Sequence, residues 1–461
     1  MSVEYACIMP HPPLIVPAVG RGEEKGIAAT TEAMEYVSRQ IAAVKPDTIV
    51  LASPHSVMYA DYIHISPGAS AQGSFARFGA PRVSVGKEYD TELVEALADL
   101  AFEADLRAGT LGEKDASLDH GTLVPLYFIE QQIKDYKLVR VSLSGQPLIV
   151  HYRFGQLVAR AAKRLGRRIV FVASGDLSHR LKADGPYGYA PEGPEFDKRV
   201  TTAMKTGDFI AFLRMGEALC EAAGECGLRS FIEMAGALDG RAVTPDFRSY
   251  EGPFGVGYAV CGYNVGGPDE NRRFGQIYEE ERAAELDTIK AGEDAYVKLA
   301  RLSLETYVKT GKRAAMPDGL PDEMTTRRAG VFVSLKKDGR LRGCIGTISP
   351  TADSIAAEIM NNAVSAGTGD SRFDPVREEE LPHLVYSVDV LSEPEPILSI
   401  DELDTKRYGV IVSKGHRRGL LLPNLDGVDT VRQQVDIALQ KAGIRRDESY
   451  SMERFEVVRH K

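Results

Sequence analysis

The sequence predicts an α/β N-terminal domain with a largely parallel central sheet flanked by helices, followed by an α+β C-terminal domain. Three observations carry this expectation. Short apolar runs alternate with amphipathic helical patterns up to about residue 265, the signature of a sheet covered on both faces. A polar stretch over 266–282 (GGPDENRRFGQIYEEER) then interrupts the pattern and reads as a linker. Beyond it the apolar runs come in closely spaced pairs, as hairpins require. The expected division is therefore residues 1–265, a linker over 266–284, and residues 285–461.

In the first part, strands are expected at 5–9 (YACIM), 48–52 (TIVLA), 138–143 (LVRVSL), 168–173 (RIVFVA) and 257–263 (GYAVCGY). Their mainly apolar, non-alternating composition suits strands buried on both faces. Helical periodicity falls at 25–44, 91–102, 151–165 and 196–205, and 208–240 reads as helical with a break near Gly224. In the second part, a helix is expected over 291–308 and a hairpin over 330–335 and 342–348, turning at Lys337-Asp338-Gly339. A second hairpin is expected over 409–412 and 419–422, with helices at 352–365 and 430–441.

Composition narrows the function classes. The 461 residues are 43% hydrophobic and 26% charged, as in soluble globular proteins. There is no apolar run long enough to span a bilayer. The opening MSVEYACIMPHPP lacks a basic segment ahead of an apolar core, so no secretory signal is expected and a cytoplasmic protein is. A net charge of -10 argues against nucleic acid as the main partner. The five cysteines, Cys7, Cys220, Cys226, Cys261 and Cys344, form no C-x-x-C pair, which speaks against a disulfide framework and a zinc ribbon. A homo-oligomer is left open.

Nine histidines are present, and three follow predicted strands: His11 in IMPHPP, His55 in ASPHS and His179 in ASGDLSH. The carboxyl ends of strands form the ligand crevice of an open α/β sheet. One histidine there is most often a loop residue. Three, delivered by separate strands to one edge, point to a shared metal or catalytic site. His120 in LDHGTLVPL is a fourth candidate. Two imidazoles and a carboxylate leave positions open on Fe(II) for substrate and dioxygen, while zinc also suits imidazole ligands. Asp119 and Asp176 stand beside these histidines as candidate orienting carboxylates.

These motifs have a family likeness. MPHPPLIVP, SPHS, DHGTLVPL and SGDLSH, with the segment from Glu225 to Leu238 (ECGLRS…MAGAL), resemble the LigB family of class III extradiol ring-cleavage dioxygenases, whose relatives include the Memo-like proteins. The resemblance implies His11 and His55 as Fe(II) ligands and Glu225 as the carboxylate ligand. It implies His179 as acid/base and His120 as a hydrogen-bonding partner of substrate or oxygen. Glu251, Asp119 and Asp176 are rival carboxylates, and the adjacent Cys226 matters because Memo-like proteins carry a cysteine near the metal position.

In the second part, LRGCIGT over 341–347, with SRFDP over 371–375 and LSEP over 391–394, resembles the AMMECR domain family. Arg342, Cys344 and Thr347 are its candidate site: Arg342 to lower the thiol pKa, Thr347 to hold a water or an anion. Against this stands a buried cysteine beside an exposed arginine, and Arg372 with Asp374 as a structural ion pair.

Together the two likenesses resemble the AmmeMemoRadiSam system, which implies a radical SAM protein as partner. This chain has no C-x-x-x-C-x-x-C cluster motif of its own. The leading expectation is a non-haem Fe(II) ring-cleavage dioxygenase-like protein acting with O2 on a catecholic or aminophenolic compound. The alternatives are a metal- or partner-binding protein of that system and a zinc hydrolase.

Overall fold

A computed structural model describes residues 3–425 and 427–461. The chain forms two compact units, Met1–Glu280 and Glu281–Lys461.

The first unit is built on a six-stranded sheet. Its spatial order is Lys137–Ser142, Thr48–Ser53, Ile169–Ser174, Val3–Met9, Tyr258–Pro268 and Arg241–Glu251. The first four strands are mutually parallel, and the last two join antiparallel. Strand Thr48–Ser53 is buried at every position. Its alternate residues feed two cores: Val50 and Ala52 face one, Ile49 and Leu51 the other. Helices Thr91–Glu103, Leu148–Leu165, Glu192–Thr206 and Leu228–Ala237 contribute to the first core. Helices Ala28–Val44 and His120–Ile129 contribute to the second. This layering makes continuous apolar runs stable as strands, because neither face meets water.

One strand and one hairpin depart from the sequence expectation. Arg241–Glu251, over which no element was expected, is the edge strand of the sheet. Its polar composition and Pro245 suit an edge, where one row of backbone groups needs no strand partner. The hairpin Ser70–Phe75 with Ala80–Glu88 was also not expected.

The expected linker is ordered structure. Strand Tyr258–Pro268 runs into it, and Phe274–Gly292 is a helix that crosses the boundary between the units. Phe274 and Tyr278, one helical turn apart, pack against the first core, and this anchors residues that look merely charged in the sequence.

The second unit contains two antiparallel sheets. One has the order Arg340–Gly346, Val331–Lys337, Leu384–Leu391, Val457–His460; helices Ala295–Thr310 and Ile355–Thr368 share its core. The other has the order Glu395–Ile397, Ser451–Phe455, Gly409–Lys414, Arg417–Leu421, with helix Val431–Ala442. The first hairpin turns at Asp338 and Gly339, whose φ values of 52° and 78° are those of a tight two-residue turn. No helix among the described residues is long and apolar enough to cross a membrane.

Candidate metal centre

His11, His55 and the loop from Ser174 to His179 all lie just beyond the carboxyl ends of adjacent parallel strands. The sheet therefore gathers side chains that are far apart in sequence. His11 Nε2 and His55 Nε2 stand 3.0 Å apart. Cys226 Sγ is 3.7 Å from His11 Nε2. The three donor atoms lie within 4.8 Å of one another, the spacing of ligands around a common ion.

Cys226 comes from another part of the chain and arrives by close backbone packing. A Cβ on Gly175 would stand 2.2 Å from Gly227 Cα, and one on Gly227 would stand 2.8 Å from the Asp176 carbonyl. Two facing glycines let the loop after strand Ile169–Ser174 touch the loop that carries Cys226.

Hydrogen bonds set the tautomer of His11. Ser174 Oγ donates to the Gly121 carbonyl at 2.6 Å. Its single proton is thereby used, so at 2.9 Å it accepts from His11 Nδ1–H. The lone pair of His11 is then on Nε2, facing His55 and Cys226. The His11 backbone N–H donates to Asp176 Oδ1 at 2.8 Å. Burial drives the Asp176 carboxyl up to about 7 against the opposing pull of that N–H.

The imidazoles are held neutral. Burial lowers His11 well below the ordinary histidine range, and the charges of His55, His120 and His179 add to this. Burial, then His55, brings His120 and His179 each down to about 4. Burial raises the Cys226 thiol well above its usual range, helped by Asp176 and Glu225. A metal must therefore displace a thiol proton but no imidazolium proton.

The rings around the centre are closely set. His120 is tilted over His55 with centroids 4.0 Å apart. Phe78 meets His120 edge-on at 5.6 Å. His179 lies against Tyr187 at 5.1 Å, and its Nε2 is buried with no hydrogen-bond partner. A buried imidazole nitrogen without a partner is costly unless a ligand completes it. This orphaned nitrogen and the converging N, N, S donor set fit a metal with a bound ligand beside it. A cavity of about 950 Å³ lined by His55 and His120 adjoins the cluster.

Residues 5–261 match the family model described as the catalytic LigB subunit of aromatic ring-opening dioxygenase. The chain belongs to the LigB family. Residues 297–460 of this LigB-family chain match the AMMECR1 family model. Protein CA_C1420 of Clostridium acetobutylicum is 44% identical over 469 residues, covering 100% of both chains. A Thermotoga maritima protein is 53% identical over 172 residues, 37% of this chain and 99% of its own length. A crystal structure of the uncharacterized Pyrococcus horikoshii protein PH0010 is similar at 32% identity and a TM-score of 0.34, covering 36% of this chain and 88% of that one.

Within the LigB domain the structure brings together His11, His55, His120 and His179 but turns Glu225 elsewhere. Glu225 Oε2 accepts the Leu228 N–H at 2.7 Å and so caps helix Leu228–Ala237. Its neighbour Cys226 is the third donor of the cluster. Glu225 is held by the Leu228 N–H while Cys226 faces His11. Two of the rival carboxylates are engaged elsewhere, and the third, Asp176, stands near His11 but outside the three-donor cluster. Glu251 accepts from Thr30 N–H and hydroxyl at 2.7 and 2.6 Å. Asp119 accepts from Ser53 Oγ at 2.6 Å and caps helix His120–Ile129. Asp176 Oδ2 is 3.8 Å from His11 Nε2.

The C-terminal candidates have structural partners. Arg342 forms a two-pronged ion pair with Glu380 at 3.0 and 2.9 Å, so its charge is not directed at the thiol. Thr347 donates to the buried Glu358 at 2.6 Å rather than to a free anion. Arg372 pairs with Asp370, at 2.9 and 2.7 Å, and not with Asp374. Cys344 Sγ accepts from Ser334 Oγ at 3.2 Å across the hairpin.

Sequence reasoning missed Ser174 and the hairpin tip carrying Phe78. Ser174 lies inside the quoted ASGDLSH motif. The hairpin was signalled only by weak alternation, with Ala71 and Phe75 buried, and by the turn glycine Gly79.

Proposed function

We propose that the LigB domain holds one metal ion through His11, His55 and Cys226 and binds a small aromatic diol or aminophenol beside it, for ring opening with O2. The observation that carries this reading is the convergence of two imidazole nitrogens 3.0 Å apart with the Cys226 sulfur. Fe(II), when bound, would supply a centre at which diol and dioxygen are held together.

The chain's own groups have separable tasks. Ser174 keeps the His11 lone pair on Nε2. His179, neutral above its lowered pKa, accepts a ring-hydroxyl proton at its unpartnered Nε2 and later returns it. His120, over His55, donates a hydrogen bond to substrate oxygen. Phe78 and His120 together give the cavity an aromatic wall.

The test is anaerobic loading with Fe(II), followed by a panel of catechols and aminophenols and then oxygen. Yellow ring-opened products are expected. Iron bound without turnover across the panel removes the ring-opening reading and leaves the metal centre.

Cys226 favours a second reading. A thiolate in place of a carboxylate suits metal handling or redox work, in concert with a radical SAM protein. Zinc at the same donors would favour hydrolysis instead. Metal analysis of protein purified without added metal separates the first reading from the last: oxygen-labile iron supports ring opening, air-stable zinc supports hydrolysis.

A further inference from the structure

A second cavity of the LigB domain, of about 890 Å³, shares no residue with the one beside the metal centre. Its volume is that of a small-molecule site. Six cationic side chains line it against three carboxylates: Arg107, Arg153, Arg160, Lys163, Arg241 and Arg273. This concentrates positive charge on a chain whose net charge is -10. The cations reach the cavity from four separate segments. Arg153, Arg160 and Lys163 come from helix Leu148–Leu165, and Arg241 opens the edge strand Arg241–Glu251. Arg107 precedes strand Ala108–Gly109, and Arg273 precedes helix Phe274–Gly292. A solvated helix face requires no such convergence.

Ion pairing leaves an excess of positive charge. Arg107 pairs with Asp61 at 2.7 Å, Arg153 with Glu279 at 2.7 Å, and Arg273 with Glu270. Asp239 accepts from the Tyr152 hydroxyl at 2.6 Å and the Gln156 amide at 3.0 Å, and stands 3.9 Å from Arg273. Arg241 donates from Nε and Nη2 to the Gly266 carbonyl, so its guanidinium is held in place while its charge meets no carboxylate among the described residues. Arg160 and Lys163 have no hydrogen bond or ion pair among the described residues. Against these three charges stands one unpaired carboxylate of the lining, Asp105.

Arg160 and Lys163 are one helical turn apart, with about 5–6 Å between their Cβ atoms, so both can reach neighbouring charges of one ligand. A guanidinium meets phosphate oxygens with a planar fork of donors, and an ammonium adds a point charge. An acidic peptide carries its charges one per residue, whereas consecutive phosphates concentrate them as these cations do. We propose that this cavity binds a small ligand bearing two or more consecutive phosphates, with Arg160, Lys163 and Arg241 as its contacts. No aromatic side chain is among the described lining residues, so the phosphates, and not a stacked ring, carry the recognition.

The test uses the full chain freed of metal, so that no probe acts through the metal centre, and three probes at fixed ionic strength: tripolyphosphate, orthophosphate and hexaglutamate. Calorimetry should show tripolyphosphate binding at least about tenfold tighter than either of the others. Arg160 and Lys163 are exposed, so replacing them leaves the core intact. Arg160→Gln with Lys163→Gln should weaken tripolyphosphate about tenfold, the gain of partly solvated charged hydrogen bonds. Arg39→Gln, at an exposed cation of helix Ala28–Val44 outside the cavity, should leave the affinity unchanged. Absence of tripolyphosphate binding, or an affinity unchanged in the double variant, overturns the proposal. Equal binding of hexaglutamate, or as large a loss in Arg39→Gln as in the double variant, also overturns it, by showing a general attraction for polyanions.

Discussion

Ser174 Oγ accepts the Nδ1–H of His11 at 2.9 Å, because its own proton goes to the Gly121 carbonyl. This pairing aims the His11 lone pair at the other two donors before any metal arrives. Ser174→Ala frees the ring to rotate and to change tautomer. The expected result is a loss of metal affinity of about 10- to 100-fold, measured by competition with a chromophoric chelator. An unchanged affinity would mean that packing alone orients the ring.

Glu225 and Cys226 make opposite predictions. Cys226→Ala removes a donor from the cluster, and stoichiometric metal should be lost from the purified protein. Glu225→Ala removes the cap on Leu228 N–H, which should cost about 1 kcal/mol of stability and leave the metal content intact. Elemental analysis with thermal unfolding of both variants checks this. Metal lost only from Glu225→Ala would reverse the assignment.

Metal affinity should rise with pH. The Cys226 thiol is raised well above its ordinary range, so it is protonated throughout pH 6–8 in the metal-free protein, whereas His11 and His55 are lowered and already neutral toward the top of that window. Each ion bound then releases one thiol proton, and affinity climbs about tenfold per pH unit. Calorimetry in buffers of different ionisation enthalpy counts the proton directly. A flat profile would show that the thiol is not a ligand.

Gly175→Ala should disturb both fold and site. Its new methyl would stand 2.2 Å from Gly227 Cα, a backbone atom that cannot swing away. The expected cost is about 2 kcal/mol or more. The loop bearing Cys226 must shift, so weaker metal binding should accompany the lower melting temperature. A drop in stability with full metal affinity would show that the Cys226 loop tolerates the displacement.

Glu380 links acid stability to the C-terminal domain. Burial opposes its ionisation, yet Arg342, the Arg377 N–H and Lys337 bring its pKa down to about 2. A lowered folded-state pKa contributes stability that is complete above the unfolded value and lost as pH falls toward about 2. Glu380→Gln should lower stability by about 1 kcal/mol at neutral pH and flatten the loss on acidification below about pH 4.5. Denaturant melts of the whole chain at several pH values test this.

The alternation of apolar strands with amphipathic helices was enough to identify the parallel core and the second unit's hairpins, because continuous burial and helical periodicity are local properties of composition. The positions of His11, His55 and His179 were legible for the same reason: each follows a strand that can be read on its own. What lay beyond the sequence was direction and approach. Whether Glu225 or Cys226 faces His11 depends on a turn packed glycine to glycine against another loop. Whether 274–292 is linker or helix depends on Phe274 and Tyr278 finding a core already built by other elements. Side-chain identity sets which donors exist, but only long-range packing determines which of them meet, because their spacing is fixed by backbones that touch and not by their order along the chain.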